Sequence, residues 1–220
     1  MSGDRGRPLL GLALVGLILL TGACGGEERP AEVDLPTSTA SSSEPGSTPE
    51  GDRPDRPATT PEPSPPPRNG QKVQDTDSAA YSLRLPEQEP ARSVAESLLA
   101  YLDARLQAYN SVEVDLAALA RTATGDPINQ VQRYVAELSE RGNRTVGDVW
   151  LDAPADAVRV RGKQATVREA CLRNASVDVD AGGVAVESAP SAYRLSATLT
   201  KVAADAWLVT EFSVEPSTDC

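Results

Sequence analysis

The chain has 220 residues, a formal net charge of −11 and no histidine. The missing imidazole removes Ser-His-Asp and Cys-His nucleophile systems, histidine bases and the usual zinc ligand sets. Residues 25–90 carry 13 acidic against 6 basic side chains, and residues 91–220 carry 18 against 13. Neither part has the Lys/Arg surplus that phosphate-backbone binding requires, so no nucleic acid is expected as a partner.

Arg5 and Arg7 precede an apolar run from Leu9 to Leu20, followed by Thr21-Gly22-Ala23-Cys24. A charged start, a short apolar stretch and small residues before a cleavage point describe a secretory signal. The run has 12 residues, short of the roughly 20 that span a bilayer. Leu20-Thr21-Gly22-Ala23-Cys24 resembles the lipobox of bacterial lipoproteins, with Thr21 standing where a branched aliphatic residue is commoner. The resemblance implies a diacylglyceryl group on the Cys24 thiol, a signal peptide over 1–23, and anchorage at the extracytoplasmic face of the cell membrane.

Residues 24–90 read as a lipidated cysteine followed by a disordered linker. Ser41-Ser42-Ser43-Glu44-Pro45 and Pro61-Glu62-Pro63-Ser64-Pro65-Pro66-Pro67 hold too little apolar surface to offset ordering entropy. Tyr81-Ser82-Leu83-Arg84-Leu85 is the one apolar-alternating patch, suited to a short extended arm against the domain.

The folded domain is expected over 91–220. Ser93-Val94-Ala95-Glu96 matches a capping box, and Val94, Leu98, Leu102 and Leu106 follow on one face of a helix. Asp115 to Ala120 forms a short second helix. Asp126-Pro127 starts a third, whose face is Ile128, Val131, Tyr134, Val135 and Leu138 and whose end is Gly142. The period then changes to two. Strands are expected around Val149–Leu151, Val158–Arg161, Thr166–Leu172, Val177–Asp180, Val184–Glu187, Tyr193–Val202 and Trp207–Val214. Helices first and antiparallel strands afterwards mean an α+β fold, with the sheet curved over the long helix.

On these elements the chain resembles the nuclear transport factor 2-like family, whose N-terminal helices pack on a curved antiparallel sheet, a cone. Ala165-Thr166-Val167-Arg168-Glu169-Ala170-Cys171 and Trp207-Leu208-Val209-Thr210 resemble actinobacterial secreted or lipoprotein members. There a cysteine on a middle strand commonly accompanies one near the C-terminus. The resemblance implies a fold and an envelope location, and no reaction.

Cys171 and Cys220 are the only cysteines besides Cys24, and an exported pair of this kind is expected to form a disulfide. Cys171 as a nucleophile would lack a histidine to activate it. Alternation puts Glu169 on one face with Ala165, Val167 and Cys171, and Glu211 in register with Trp207 and Val209. Both are therefore candidates for a desolvated acid inside a cavity, against the alternative of a solvated or arginine-paired carboxylate. Trp150, Trp207, Tyr101, Tyr109 and Tyr193 are expected to line the core and the cone. Asp178 and Asp180, ahead of Gly182-Gly183, suggest calcium only faintly and fit a hairpin with a solvated acidic face. No catalytic set, cofactor motif or metal-ligand pattern is present. The expected function is a non-catalytic, membrane-anchored module that binds an envelope protein or a small apolar ligand. The alternatives are a cavity enzyme using a buried carboxylate and a structural or regulatory envelope lipoprotein.

Overall fold

The computed structural model describes residues 60–74, 77–203 and 206–220. The signal segment, Cys24 and the greater part of the linker lie outside the described residues. The described chain is α+β, with three α-helices and a mostly antiparallel sheet that does not close. Among the described residues, no helix is long and apolar enough to cross a membrane.

Helix α1 (Ala91–Ser111) buries Val94, Leu98, Leu102 and Leu106 together with Tyr101 and Tyr109. Its start differs from the capping box. The helix begins at Ala91, and the Glu89 carboxylate accepts hydrogen bonds from the Ser93 amide at 3.2 Å and the Ser93 hydroxyl at 2.5 Å. Glu96, free of a capping role, pairs instead with Arg92 at 2.8 Å. Helix α2 (Leu116–Ala120) is capped by Asp115, whose side chain accepts from the Ala118 amide. Helix α3 (Asp126–Arg141) starts with proline in its first turn and stops at Gly142, at φ 66°. A side chain with a Cβ resists that left-handed conformation.

The main sheet runs in the order β1 (Ala80–Arg84), β3 (Val149–Asp152), β5 (Gln164–Asn174), β7 (Ala192–Lys201) and β8 (Trp207–Pro216). Strand β4 (Val158–Arg161) also pairs with β5. A separate two-stranded ladder joins β2 (Arg144–Val146) to β6 (Val177–Val179). Val184 and Ala185 make only isolated bridges, so the strand expected there is a bridged loop.

Besides a register shift between Ser82 and Arg84 at the β1 edge, two irregularities shape the middle of the sheet. The β5–β7 register shifts between Val167 and Ala170, and the β7–β8 register shifts between Thr198 and Leu199. Both fall beside Ala197–Leu199 of β7, so the bend is shared by three strands. Bulges add an unpaired residue and increase local twist; here they wrap the sheet around α1 and α3. The core lies inside that curve, built from Leu98, Leu102, Val131, Val167, Leu195, Leu199, Trp207 and Phe212 among others.

The domain begins earlier than residue 91. Strand β1 pairs with β3 in parallel, Ala80 opposite Val149 and Tyr81 opposite Trp150. Side chains spaced along α1 hold this arm: Asp103 accepts from the Ala80 amide at 3.1 Å, and Gln107 donates to the Ser78 carbonyl at 2.6 Å. Asn110 donates to the Ser78 hydroxyl at 3.2 Å. Ser78 itself is 1% exposed. A stripe that reads from sequence as a solvated helix face is thus the seat of the arm. Gly147 completes it, donating to the Ser78 hydroxyl at 3.0 Å at φ 101°, where a Cβ would meet the Ala175 carbonyl oxygen at 2.5 Å. Even residues 60–74, inside the expected linker, belong to the structured chain.

Candidate functional site

The inner face of the sheet does not seal completely against the helices. A cleft of about 390 Å³ remains between α1, α3 and strands β3, β5, β6, β7 and β8, within the size range of small-molecule sites. Leu102, Leu106, Val149, Leu172, Val177 and Val214 give it apolar walls. Glu187, Ser188, Ala189 and Pro190 also line it.

The polar part of the cleft is built around three tyrosines, Arg105 and Asp178. Asp178 is 7% exposed and directly opposite Thr145 in the β2–β6 ladder. Its two oxygens accept from the Tyr134 hydroxyl and the Thr145 hydroxyl, each at 2.7 Å. Burial pushes the Tyr134 phenol well above its ordinary range, and the adjacent Asp178 carboxylate pushes it further in the same direction. Tyr134 therefore stays protonated and donates. Its ring meets Tyr109 edge to face, 4.5 Å between centroids.

Arg105 gives its Nε hydrogen to the Tyr109 hydroxyl at 2.7 Å. Its guanidinium carbon lies 4.7 Å from the centre of the Phe212 ring and 5.3 Å from that of Tyr109. Stacked this way the group is held in orientation. Among the described residues, no carboxylate pairs with it within 4.0 Å. Burial raises the Tyr109 phenol too, with Arg105 partly opposing the shift. Tyr101 sits beneath, fully buried, donating to the Pro127 carbonyl at 3.3 Å, its pKa pushed up to about 12 by burial. Asn174 fixes the rim, donating to the Pro190 carbonyl at 2.9 Å and to that of Ser176 at 3.2 Å.

Of the residues expected in a cavity, Tyr109 and Tyr193 line the cleft and Tyr101 supports it. Trp207 is buried in the core away from it, with its Nε1 unpartnered among the described residues and Lys201 Nζ 5.7 Å from its ring. Trp150 points to the opposite face of the sheet. Glu169 and Glu211 also lie outside, for one physical reason. The β5 bulge sets Glu169 at φ 57° and turns it to solvent, so that Cys171 as well leaves the face of Ala165 and Val167. In β8 Thr198 stands opposite Glu211 and Leu199 opposite Val209, which leaves Thr210 as the extra residue and turns Glu211 outward. There it accepts from the Thr198 hydroxyl at 2.8 Å. Both glutamates border a shallow groove on the outer surface with Arg194 and Ser196. Among the described residues Glu169 has no ion pair, with Arg168, Arg173 or any other cation.

The acidic hairpin is not solvated as expected. Asp178 is the caged carboxylate of the cleft. Asp180 closes the turn locally, accepting from the Gly182 amide at 2.8 Å and the Val184 amide at 3.0 Å. Among the described residues, no group of three or more potential ligands could hold a metal ion. Arg105, Tyr134 and Asp178 were not legible as a site. The signal available was an arginine on the apolar-flanked face of α1, one position before Leu106.

Cys171 and Cys220 come together. The Cys171 Sγ lies 3.6 Å from the Cys220 carbonyl oxygen, and the Cys220 Sγ lies 3.4 Å from the Tyr193 carbonyl oxygen. Both are thiols in this structure. Burial, then the neighbouring Cys220, raises the Cys171 pKa, which disfavours the thiolate a nucleophile needs.

No family model matches the chain, and no curated protein matches it. Solved structures similar to it include the intermembrane space region of the chloroplast protein ARC6. That likeness is 17% identical over 59% of this chain and 99% of the other, with a TM-score of 0.36. It is too slight to assign a family.

Proposed function

We propose that this chain is an extracytoplasmic lipoprotein whose domain, a nuclear transport factor 2-like cone, binds a small apolar acid. Binding rather than catalysis is its role. One observation carries the reading: Arg105 is the only cation lining the cleft, and no carboxylate of the described chain, Asp178 and Glu187 of the lining included, pairs with it within 4.0 Å. Asp178 is held away from it: its oxygens accept from the Tyr134 and Thr145 hydroxyls, and it makes no ion pair with Arg105 within 4.0 Å. A ligand with an acid group would meet a guanidinium already oriented by Tyr109 and Phe212, while its apolar body replaces water along Leu102, Leu106 and Val214. The anchor rests on the Leu20–Cys24 segment, and the Pro/Ser/Thr/Glu-rich stretch after it serves as the tether. Cys171 and Cys220 form the disulfide of the exported protein, passing two electrons and two protons to a thiol oxidant of that compartment.

The test titrates the full chain with a fluorescent medium-chain carboxylic acid and with the matching alcohol. A charge-assisted hydrogen bond is worth about 1.5–3 kcal/mol, so Arg105→Gln is expected to weaken the acid roughly 10- to 100-fold. The alcohol should bind both proteins alike. Equal loss of acid and alcohol, or no binding of either to the unaltered chain, would remove this reading. Membrane partitioning of a Cys24→Ser chain tests the anchor separately; undiminished partitioning counts against it.

A further inference from the structure

On the outer face of the sheet, Trp150 of β3 is 2% exposed although Arg173, directly opposite it on β5, is exposed. The chain's own proline-rich segment reaches the indole. Trp150 Nε1 donates to the Pro61 carbonyl at 2.8 Å, and the Tyr81 ring stacks alongside, 5.9 Å between centroids at 24°. Within this segment Pro63, Pro66 and Pro67 are half-buried, whereas Glu62, Ser64 and Pro65 are exposed. Pro63 and Pro66 are three residues apart, the repeat of a polyproline II helix, so one edge of the segment faces the domain. An indole N–H aimed at a proline-segment carbonyl, beside a second aromatic ring, is how aromatic-lined grooves read such helices.

We infer that Trp150 and Tyr81 form a binding site for proline-rich extended peptides, and that Thr60–Pro67 is its resident occupant. Among the described residues, the Pro61 carbonyl makes the one hydrogen bond that ties residues 60–67 to the rest of the domain. Anchorage becomes denser only beyond it: the Gly70 amide donates to the Ala185 carbonyl at 2.8 Å and the Val73 amide to the Gly183 carbonyl at 2.8 Å. A contact made of one hydrogen bond and proline rings opens at small cost. The occupant holds the site chiefly because a short connection keeps it at high effective concentration. A proline-rich segment of another exported protein competes with it through the same chemistry. This site lies on the face of the sheet opposite the cleft and does not depend on the ligand proposed there.

The experiment uses the full chain with Pro61, Pro63, Pro66 and Pro67 each replaced by glycine, which removes the proline rings and the extended preference that favour the docked segment without touching the core. A fluorescent peptide of residues 60–68 is titrated into this opened chain and into the unaltered one, and anisotropy is read. The opened chain is expected to bind at least tenfold more tightly, because the unaltered chain fills its own site. Adding Trp150→Phe to the opened chain keeps an aromatic ring but removes the donor, and at least a threefold loss is expected. Arg105→Gln in the opened chain leaves peptide binding unchanged. Absence of binding to the opened chain, equal binding to opened and unaltered chains, or loss on Arg105→Gln without loss on Trp150→Phe would each overturn the inference.

Discussion

The two faces of the sheet solve different problems. The inner face is buried by helices, and two of its charged groups are held by neighbouring hydroxyls: Asp178 by Tyr134 and Thr145, Arg105 by Tyr109. Among the described residues, no layer of helices covers the outer face. It is closed instead by the chain on either side of the domain, residues 60–67 over Trp150 and residues 217–220 over Cys171. Charge on that face is left to solvent or to surface pairs, such as Arg84 with Asp152 at 2.8 Å and Arg194 with Asp219 at 3.7 Å. The same residue type therefore carries different weight on the two sides. A carboxylate inside is a structural commitment, and one outside is nearly free.

The largest expected effect concerns how the outer face is held. A bond between Cys171 and Cys220 closes a loop of about 50 residues, worth roughly 4 kcal/mol in the chain-entropy view. Cys220→Ser is expected to lower the urea-unfolding free energy of protein secreted under oxidising conditions by about that amount, and to change little once reductant is present. Thiol titration of the unfolded, unreduced chain should find neither cysteine. Two free thiols there would mean that the C-terminus is held by hydrogen bonds alone.

Inside, Asp178→Ala sharpens the contrast. It strands the buried Thr145 hydroxyl and the half-buried Tyr134 hydroxyl and removes two charge-assisted hydrogen bonds, a loss of about 3 kcal/mol. Glu211→Ala on the outer face gives up one exposed contact with Thr198 and should stay within about 0.5 kcal/mol. Comparable losses for the two would erase the distinction between the faces.

How far the sequence carried follows from the same contrast. Periodicity placed α1 and α3 well, because Val94, Leu98 and Leu102, or Val131, Val135 and Leu138, repeat with the turn of a helix. It also located β5, β7 and β8. It misjudged which way Glu169 and Glu211 face, since strict alternation cannot register an extra residue, and both bulges lie between the clear part of the pattern and the glutamate. The arm at Ser78–Arg84 was half legible: the alternating patch was visible, but Asp103, Gln107 and Asn110 read as ordinary surface until their partner is seen. The cleft was the least legible part. Its charged residues, Arg105 of α1, Asp178 of β6 and Glu187 of the segment before β7, are spread along the sequence and share the cleft only in the folded chain.

The smallest effect tests the device that produces that curvature. Glu169 is held at φ 57°, where a side chain with a Cβ is strained by about 1 kcal/mol or more and glycine is not. Glycine also costs about 0.4–1 kcal/mol through the freer unfolded chain, so Glu169→Gly should leave stability unchanged or raise it by up to about 1 kcal/mol. Glu169→Ala keeps the strained backbone and loses only a solvated carboxylate, so it should rank below the glycine variant. The order of the two urea midpoints is the informative quantity. If alanine were the more stable, residue 169 would sit in a regular ladder with its side chain turned inward, the sheet would lack this bend, and the cleft walls from β5 and β7 would have to be redrawn.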